Sequence, residues 1–131
     1  MDIKGRKIYG GKAEGEILKT NEPISFLGGV DPEKGIVVEK GHEIEGKSVR
    51  NKVLVFPKGK GSTVGSYTIY QLKKNKVAPA AIINKKCEPI VAIGAVISSI
   101  PTLDKIDMDD IPSQGRAIVN SNKEAVEIID F

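Results

Sequence analysis

The sequence predicts an α/β domain, with a β-rich, glycine-punctuated opening third ahead of a parallel βαβ core. Two observations carry this. Val53-Leu54-Val55-Phe56 and Ala78-Pro79-Ala80-Ala81-Ile82-Ile83-Asn84 are short apolar runs of the kind that make buried strands. Between them, Val64, Tyr67, Ile69, Tyr70 and Leu72 recur near helical spacing, in a segment long enough to cross from one parallel strand to the next.

Taken in order, residues 3–18 read as two strands around Tyr9-Gly10-Gly11-Lys12, with Ala13, Gly15 and Ile17 alternating with polar residues. Ile24-Ser25-Phe26-Leu27 reads as a further short strand, and Gly28-Gly29-Val30-Asp31-Pro32 as a turn that exposes backbone donors. Asp31-Pro32-Glu33-Lys34-Gly35 then reads as a hairpin-like turn into a strand, Ile36-Val37-Val38-Glu39. The central helix is expected over about residues 63–74. Pro89 opens a second helix through Ser98, whose face Ile90, Ile93, Gly94 and Ile97 is expected in the core. Residues 102–106, 116–120 and 125–129 read as closing strands. There is no repeat and no linker, so residues 1–131 form one domain.

Composition narrows the function classes. The net charge of +3 is interspersed and Trp is absent, which leaves neither a basic stripe nor a base-stacking surface for nucleic acid. Cys87 is the single cysteine, so neither an internal disulfide nor a four-thiolate cluster can be built from this chain. Residues 1–7 carry no apolar signal segment, and the longest apolar run, 90–97, is far too short to span a bilayer. The expectation is a cytoplasmic protein with neither nucleic acid nor membrane as partner.

The chemistry concentrates after the first core strand. Pro57 ends that strand, Lys58-Gly59-Lys60-Gly61 lets the backbone approach a ligand, and Ser62 and Thr63 stand at a helix start. Unpaired N–H groups and the positive end of a helix dipole converge there, with two lysines and a hydroxyl beside them. Such a place suits an anion, bound from outside or generated on Ser62. Asn84-Lys85-Lys86 follows the second core strand and is expected to line the same cleft.

Other features read as structural. Gly41-His42-Glu43-Ile44-Glu45-Gly46-Lys47-Ser48 satisfies the P-loop pattern, yet the four residues before the next strand leave no room for its helix, and two acids inside it repel phosphate. His42 has no identifiable orienting partner and Cys87 no basic one, so neither reads as catalytic. Asp107-Met108-Asp109-Asp110 reads as a solvated turn, not a metal site.

Residues 56–67 (FPKGKGSTVGSY), 78–83 (APAAII) and 26–31 (FLGGVD), with their spacing, resemble the small swivelling-domain subunits of the aconitase X group, nearly end to end. The resemblance implies a swivelling β/β/α domain, as in the mobile domain of aconitases, that closes over a large subunit holding a 4Fe-4S cluster. It implies a heterodimeric or larger hydro-lyase in an archaeal mevalonate route, removing water from 5-phosphomevalonate to give trans-anhydromevalonate 5-phosphate. Within the group another hydroxy acid, such as cis-3-hydroxyproline, is the alternative substrate, and a non-catalytic swivelling binding module the alternative role. A phosphocarrier would need a histidine at the glycine loop, and His42 is elsewhere. Ser62 matches the group's catalytic base. Lys58, Lys60, Gly61 and Thr63 are expected to contact substrate, with Gly28 and Gly29 as a second wall. Lys60 stands where the group often has arginine, and Thr63 where a second serine is frequent.

Overall fold

The computed structural model describes residues 2–130; Met1 and Phe131, the two ends of the expected domain, lie outside the described residues. Eight strands form one mixed sheet: β1 (Asp2–Lys4), β2 (Arg6–Tyr9), β3 (Lys12–Lys19), β4 (Val53–Phe56), β5 (Ala81–Asn84), β6 (Thr102–Asp104), β7 (Arg116–Asn120) and β8 (Ala125–Asp130), in the order β1-β8-β7-β3-β4-β5-β6-β2. The strands β3, β4, β5 and β6 run parallel, and every other pair is antiparallel. The edge strands β1 and β2 are consecutive in the chain, separated by Gly5 alone, so the two ends of the sheet meet there.

The expected βαβ core is present and extended by one unit. Helix α2 (Gly65–Lys74) connects β4 to β5, and α3 (Pro89–Ser98) connects β5 to β6. Alternation along β4 explains its unbroken apolar run. Leu54 and Phe56 face the helices with Ile69, Leu72 and Ile82, while Val53 and Val55 face the antiparallel half of the sheet with Ala117 and Val119. A strand buried on both faces has no position for a polar residue. The layers are therefore helices, parallel sheet, antiparallel sheet.

Several expected elements change. The opening segment makes three strands, because Gly5 breaks the first stretch and sends β1 to β8 and β2 to β6. Residues 24–27 are not a strand. Ile24 makes a single parallel bridge to Gly59, and the chain then turns through α1 (Phe26–Gly29), a helical turn kinked at Leu27 (ψ 117°) and Gly28 (φ +81°). That turn drops Phe26 onto Phe56, ring edge to face at 5.8 Å. Residues 36–39 keep only isolated bridges, Val30 to Val37 and Ile36 to Ser48, because their neighbours are turns with no strand edge to offer. The Asp31 turn itself forms, its carboxylate accepting from the N–H groups of Glu33 and Lys34.

The face of α3 is also revised. Its buried residues are Val91, Gly94, Ala95 and Ser98, whereas Ile93, Val96 and Ile97 stand exposed. Only Gly94 of the expected stripe is buried and Ile90 is half-covered, because Gly94 lies under Ile69 of α2 and rotates the aliphatic row outward. The uncharged sequence of α3 gave no polar face from which to read this orientation.

These placements have unequal energetic weight. Leu54→Ala, at a fully buried site, is expected to cost about 2–5 kcal/mol. Ile93→Ala is expected to shift stability by no more than about 0.5 kcal/mol. Urea unfolding of the two variants checks both.

Candidate active site around Ser62

The glycine loop is held on both sides. The Ile24 N–H donates to Lys58 O at 3.2 Å, and the Lys60 N–H donates to Ile24 O at 3.0 Å. On the other side Gly59 is buried against the start of α3, where any Cβ would run into the Glu88 carboxylate and Val91. Glu88 is itself committed, capping α3 by accepting from the Ile90 and Val91 N–H groups. Gly61 then takes φ +86°, and a Cβ there would strike Ser25 Oγ. A residue with a side chain is strained at that φ.

This turn delivers Ser62 to the surface at the mouth of α2. Ser62 Oγ accepts from the Val64 N–H at 3.1 Å, and Ser62 O accepts from the Gly65 N–H at 2.9 Å. The N–H groups of Gly61, Ser62 and Thr63 have no partner among the described residues. The unpartnered donors thus lie on the loop ahead of α2: the N–H groups of Gly65, Ser66 and Tyr67 already donate to the O atoms of Ser62, Thr63 and Val64, and the Ser62 hydroxyl is exposed beside this start.

The lysines are arranged differently from the expectation. Lys60 Nζ pairs with Glu39 Oε2 at 3.0 Å, and no lysine makes a hydrogen bond to Ser62 among the described residues. The reason is position: Glu39 is tied by its N–H to Gly29 O, which brings its carboxylate beside the loop. Lys58 is exposed, as is Thr63.

Gly28, Gly29, Lys60 and Gly61, four of the expected substrate-contacting residues, line one shallow depression of about 370 Å³ with Ser25, Leu27 and Glu39. Lys58, Ser62 and Thr63 do not line it. Glu39 and Ser25 were not anticipated. Glu39 has no motif to mark it 21 residues from Lys60, and Ser25 matters only because the chain turns at α1.

Asn84 does not line this depression. It is fully buried, its amide donating to Phe56 O at 2.9 Å and to Ile83 O, and so clamps the end of β4 to β5. The N–H groups of Lys85 and Lys86 close the same corner by donating to Pro57 O. The P-loop match is a turn: Glu45 Oε1 accepts from the Gly41 N–H at 2.9 Å, filling with a carboxylate the place a phosphate would need. His42 is buried and structural, its Nε2 donating to Pro23 O and its Nδ1 accepting from the Ile44 N–H.

Cys87 packs against the core, and its N–H donates to Asp104, which also receives a two-pronged hydrogen bond from Arg6 at 2.8 and 2.7 Å. Burial, then the charges of Asp104 and Glu88, push the Cys87 thiol up to about 12. Among the described residues no three His, Cys, Asp or Glu side chains gather as metal ligands, and one protonated thiol does not supply the thiolates of an iron–sulfur cluster. This chain's residues do not fit such a cluster.

Residues 2–128 match the family model of the aconitase X swivel domain. The chain is 56% identical over 132 residues to the phosphomevalonate dehydratase small subunit of Methanosarcina mazei, covering 98% of this chain and 92% of that one. The small subunit of the same name from Thermococcus kodakarensis is 54% identical over 130 residues, covering 99% and 98%. Among solved structures, the crystal structure of Thermococcus kodakaraensis aconitase X in its holo-form superposes with a TM-score of 0.96 at 53% identity, covering 98% of both chains. A solution NMR structure of a UPF0107 protein superposes with a TM-score of 0.90 at 50% identity, covering 98% and 99%.

Two measurements check the local electrostatics. Iodoacetamide at pH 8 should leave Cys87 unmodified in the folded chain and alkylate it promptly in urea, as mass spectrometry would show. Hydrogen bonds from Thr20 Oγ1 (2.6 Å) and the Asn21 N–H (2.8 Å) hold the Glu43 carboxyl below its ordinary 4.5. A lowered folded-state value contributes stability above about pH 4.5 that is lost as pH falls through the folded value. Glu43→Gln should therefore be less stable than the parent at pH 6, and the difference should shrink as pH falls below 4.5, read from urea midpoints.

Proposed function

The chain belongs to the aconitase X swivel-domain family, and on that premise we propose that it works as the small subunit of a phosphomevalonate dehydratase. The reaction removes water from 5-phosphomevalonate to give trans-anhydromevalonate 5-phosphate, in the cytoplasm, as a step of the archaeal mevalonate route. A C–H bond beside the carboxylate and a C–O bond break and a C=C bond forms; the proton lost from carbon and the departing hydroxide together make up the water released. The large subunit of the heterodimer would hold the 4Fe-4S cluster, which would supply the Lewis acid for the departing hydroxyl.

Ser62 is the base that takes the proton. The observation that carries this is its exposed hydroxyl at the mouth of α2, with the Val64 N–H donating to Oγ at 3.1 Å. A serine hydroxyl is far too weakly acidic to ionise unaided near neutral pH, so its anion needs fixed donors. The Val64 N–H and the dipole of α2 supply them, and water expelled on closure strengthens both. Lys60, tied to Glu39, acts on the wall of the depression with Gly28, Gly29 and Gly61, where an anionic end of the substrate is received. Lys58 and Thr63 meet the substrate from the flank.

Ser62→Ala in the purified two-chain complex should lower kcat by about 10²- to 10⁴-fold, the range for losing a general base, with assembly intact. Turnover of 5-phosphomevalonate within a few-fold of the parent would overturn the assignment.

A further inference from the structure

A second, larger cleft of about 770 Å³ opens along β3 and shares no lining residue with the depression beside Gly61. Its place follows from the sheet. β3 is bonded to β7 through residues 12–16 and to β4 only from residue 17 to residue 19. At this change of neighbour the loop before β7 and the turn at residues 43–48 form the walls. Lys19 and Lys52 enter from β3 and the approach to β4, Lys47 from the turn, and Arg116 from the start of β7. Four cations thus stand around one opening against two carboxylates, Glu16 and Glu43. Neither carboxylate cancels them. Glu43 is turned to Thr20 Oγ1 and the Asn21 N–H, and Glu16 comes no nearer to Lys52 than 3.9 Å.

The cations themselves are largely uncommitted. Lys47 makes no ion pair among the described residues. Lys19 Nζ donates to a carbonyl, Ile111 O, at 2.8 Å, which orients the ammonium and leaves its charge unmatched. Arg116 meets Glu14 only at 3.4 Å, with both side chains about half exposed. The loop wall adds backbone donors. Gly115 takes φ +110°, and the N–H groups of Ser113, Gln114 and Gly115 have no partner among the described residues. Free backbone N–H groups in succession, beside cations, make an anion site. We propose that this cleft binds a small phosphate-bearing anion, a phosphate or diphosphate group held between Lys47, Lys52 and Arg116 and the loop at residues 113–115. A single carboxylate needs one such cation, whereas cations on several walls match a group with two or more charges and several oxygens. The site is separate from the reaction at Ser62 and stands or falls apart from it.

The test titrates inorganic pyrophosphate into the isotope-labelled full chain at roughly physiological salt, with backbone amide shifts as the readout. The amides of residues 47, 48 and 113–116 should move along saturable curves. The double variant Lys47→Ala/Arg116→Ala should weaken binding about tenfold or more. Both side chains are exposed, so the variant should keep the parent's amide spectrum away from the cleft. Sodium chloride at matched ionic strength should leave the cleft amides in place. The proposal is overturned by shifts that never saturate, by shifts that sodium chloride reproduces, or by a double variant that binds like the parent. Saturable shifts confined to Gly61, Ser62 and Thr63 would likewise end it, because the anion would then sit at the loop already described.

Discussion

The close approach of Gly59 to the start of α3 is the constraint on which the site depends. With no side chain there, the loop settles between Ile24 on one side and Glu88 and Val91 on the other. That fixes where the chain must turn at Gly61, and so where Ser62 meets α2. The same contact orders the two helices. α2 begins beside Ile90, Ser66 Oγ donates to Ile90 O at 2.6 Å, and both helix starts lie at one edge of the parallel sheet. A ligand at this edge lies beyond the carboxyl ends of parallel strands, where α/β sheets leave a crevice.

Electrostatics divide between two kinds of group. One fixed backbone donor, the Val64 N–H, faces the serine oxygen, and a fixed donor costs no reorganisation when charge develops on oxygen. The mobile charge, Lys60, is held off that oxygen by Glu39 and stands instead over the depression. This separates the backbone donor at the Ser62 hydroxyl from the side-chain charge that lines the depression. Half-exposed pairs such as Lys60 and Glu39 add little to stability, so the value of this pair lies in where it puts the ammonium.

The site was legible where local chemistry sufficed. Gly59-Lys60-Gly61-Ser62 between an apolar strand and a helix announced an exposed hydroxyl with a backbone donor, and the structure has the strand, the loop, the helix and one such donor, the Val64 N–H. What was not legible came from partners distant in sequence. Glu39 captures Lys60, Asn84 disappears into the β4–β5 corner, and Ile93 and Ile97 turn outward because Gly94 meets Ile69. Each outcome depends on a contact between elements and leaves no local pattern. The expected strand at residues 24–27 failed for a related reason: burying Phe26 on Phe56 required a turn at Gly28, which strand-like composition could not reveal.

By itself the sequence determined the parallel core, the glycine loop and the family resemblance, because strand burial, helix periodicity and loop glycines are written in runs of adjacent residues. Only the tertiary structure decided which ends of the sheet meet at Gly5, which face α3 buries and which atoms surround Ser62. Those outcomes are set by packing between segments far apart in the chain, where one glycine's missing side chain fixes how closely two elements approach.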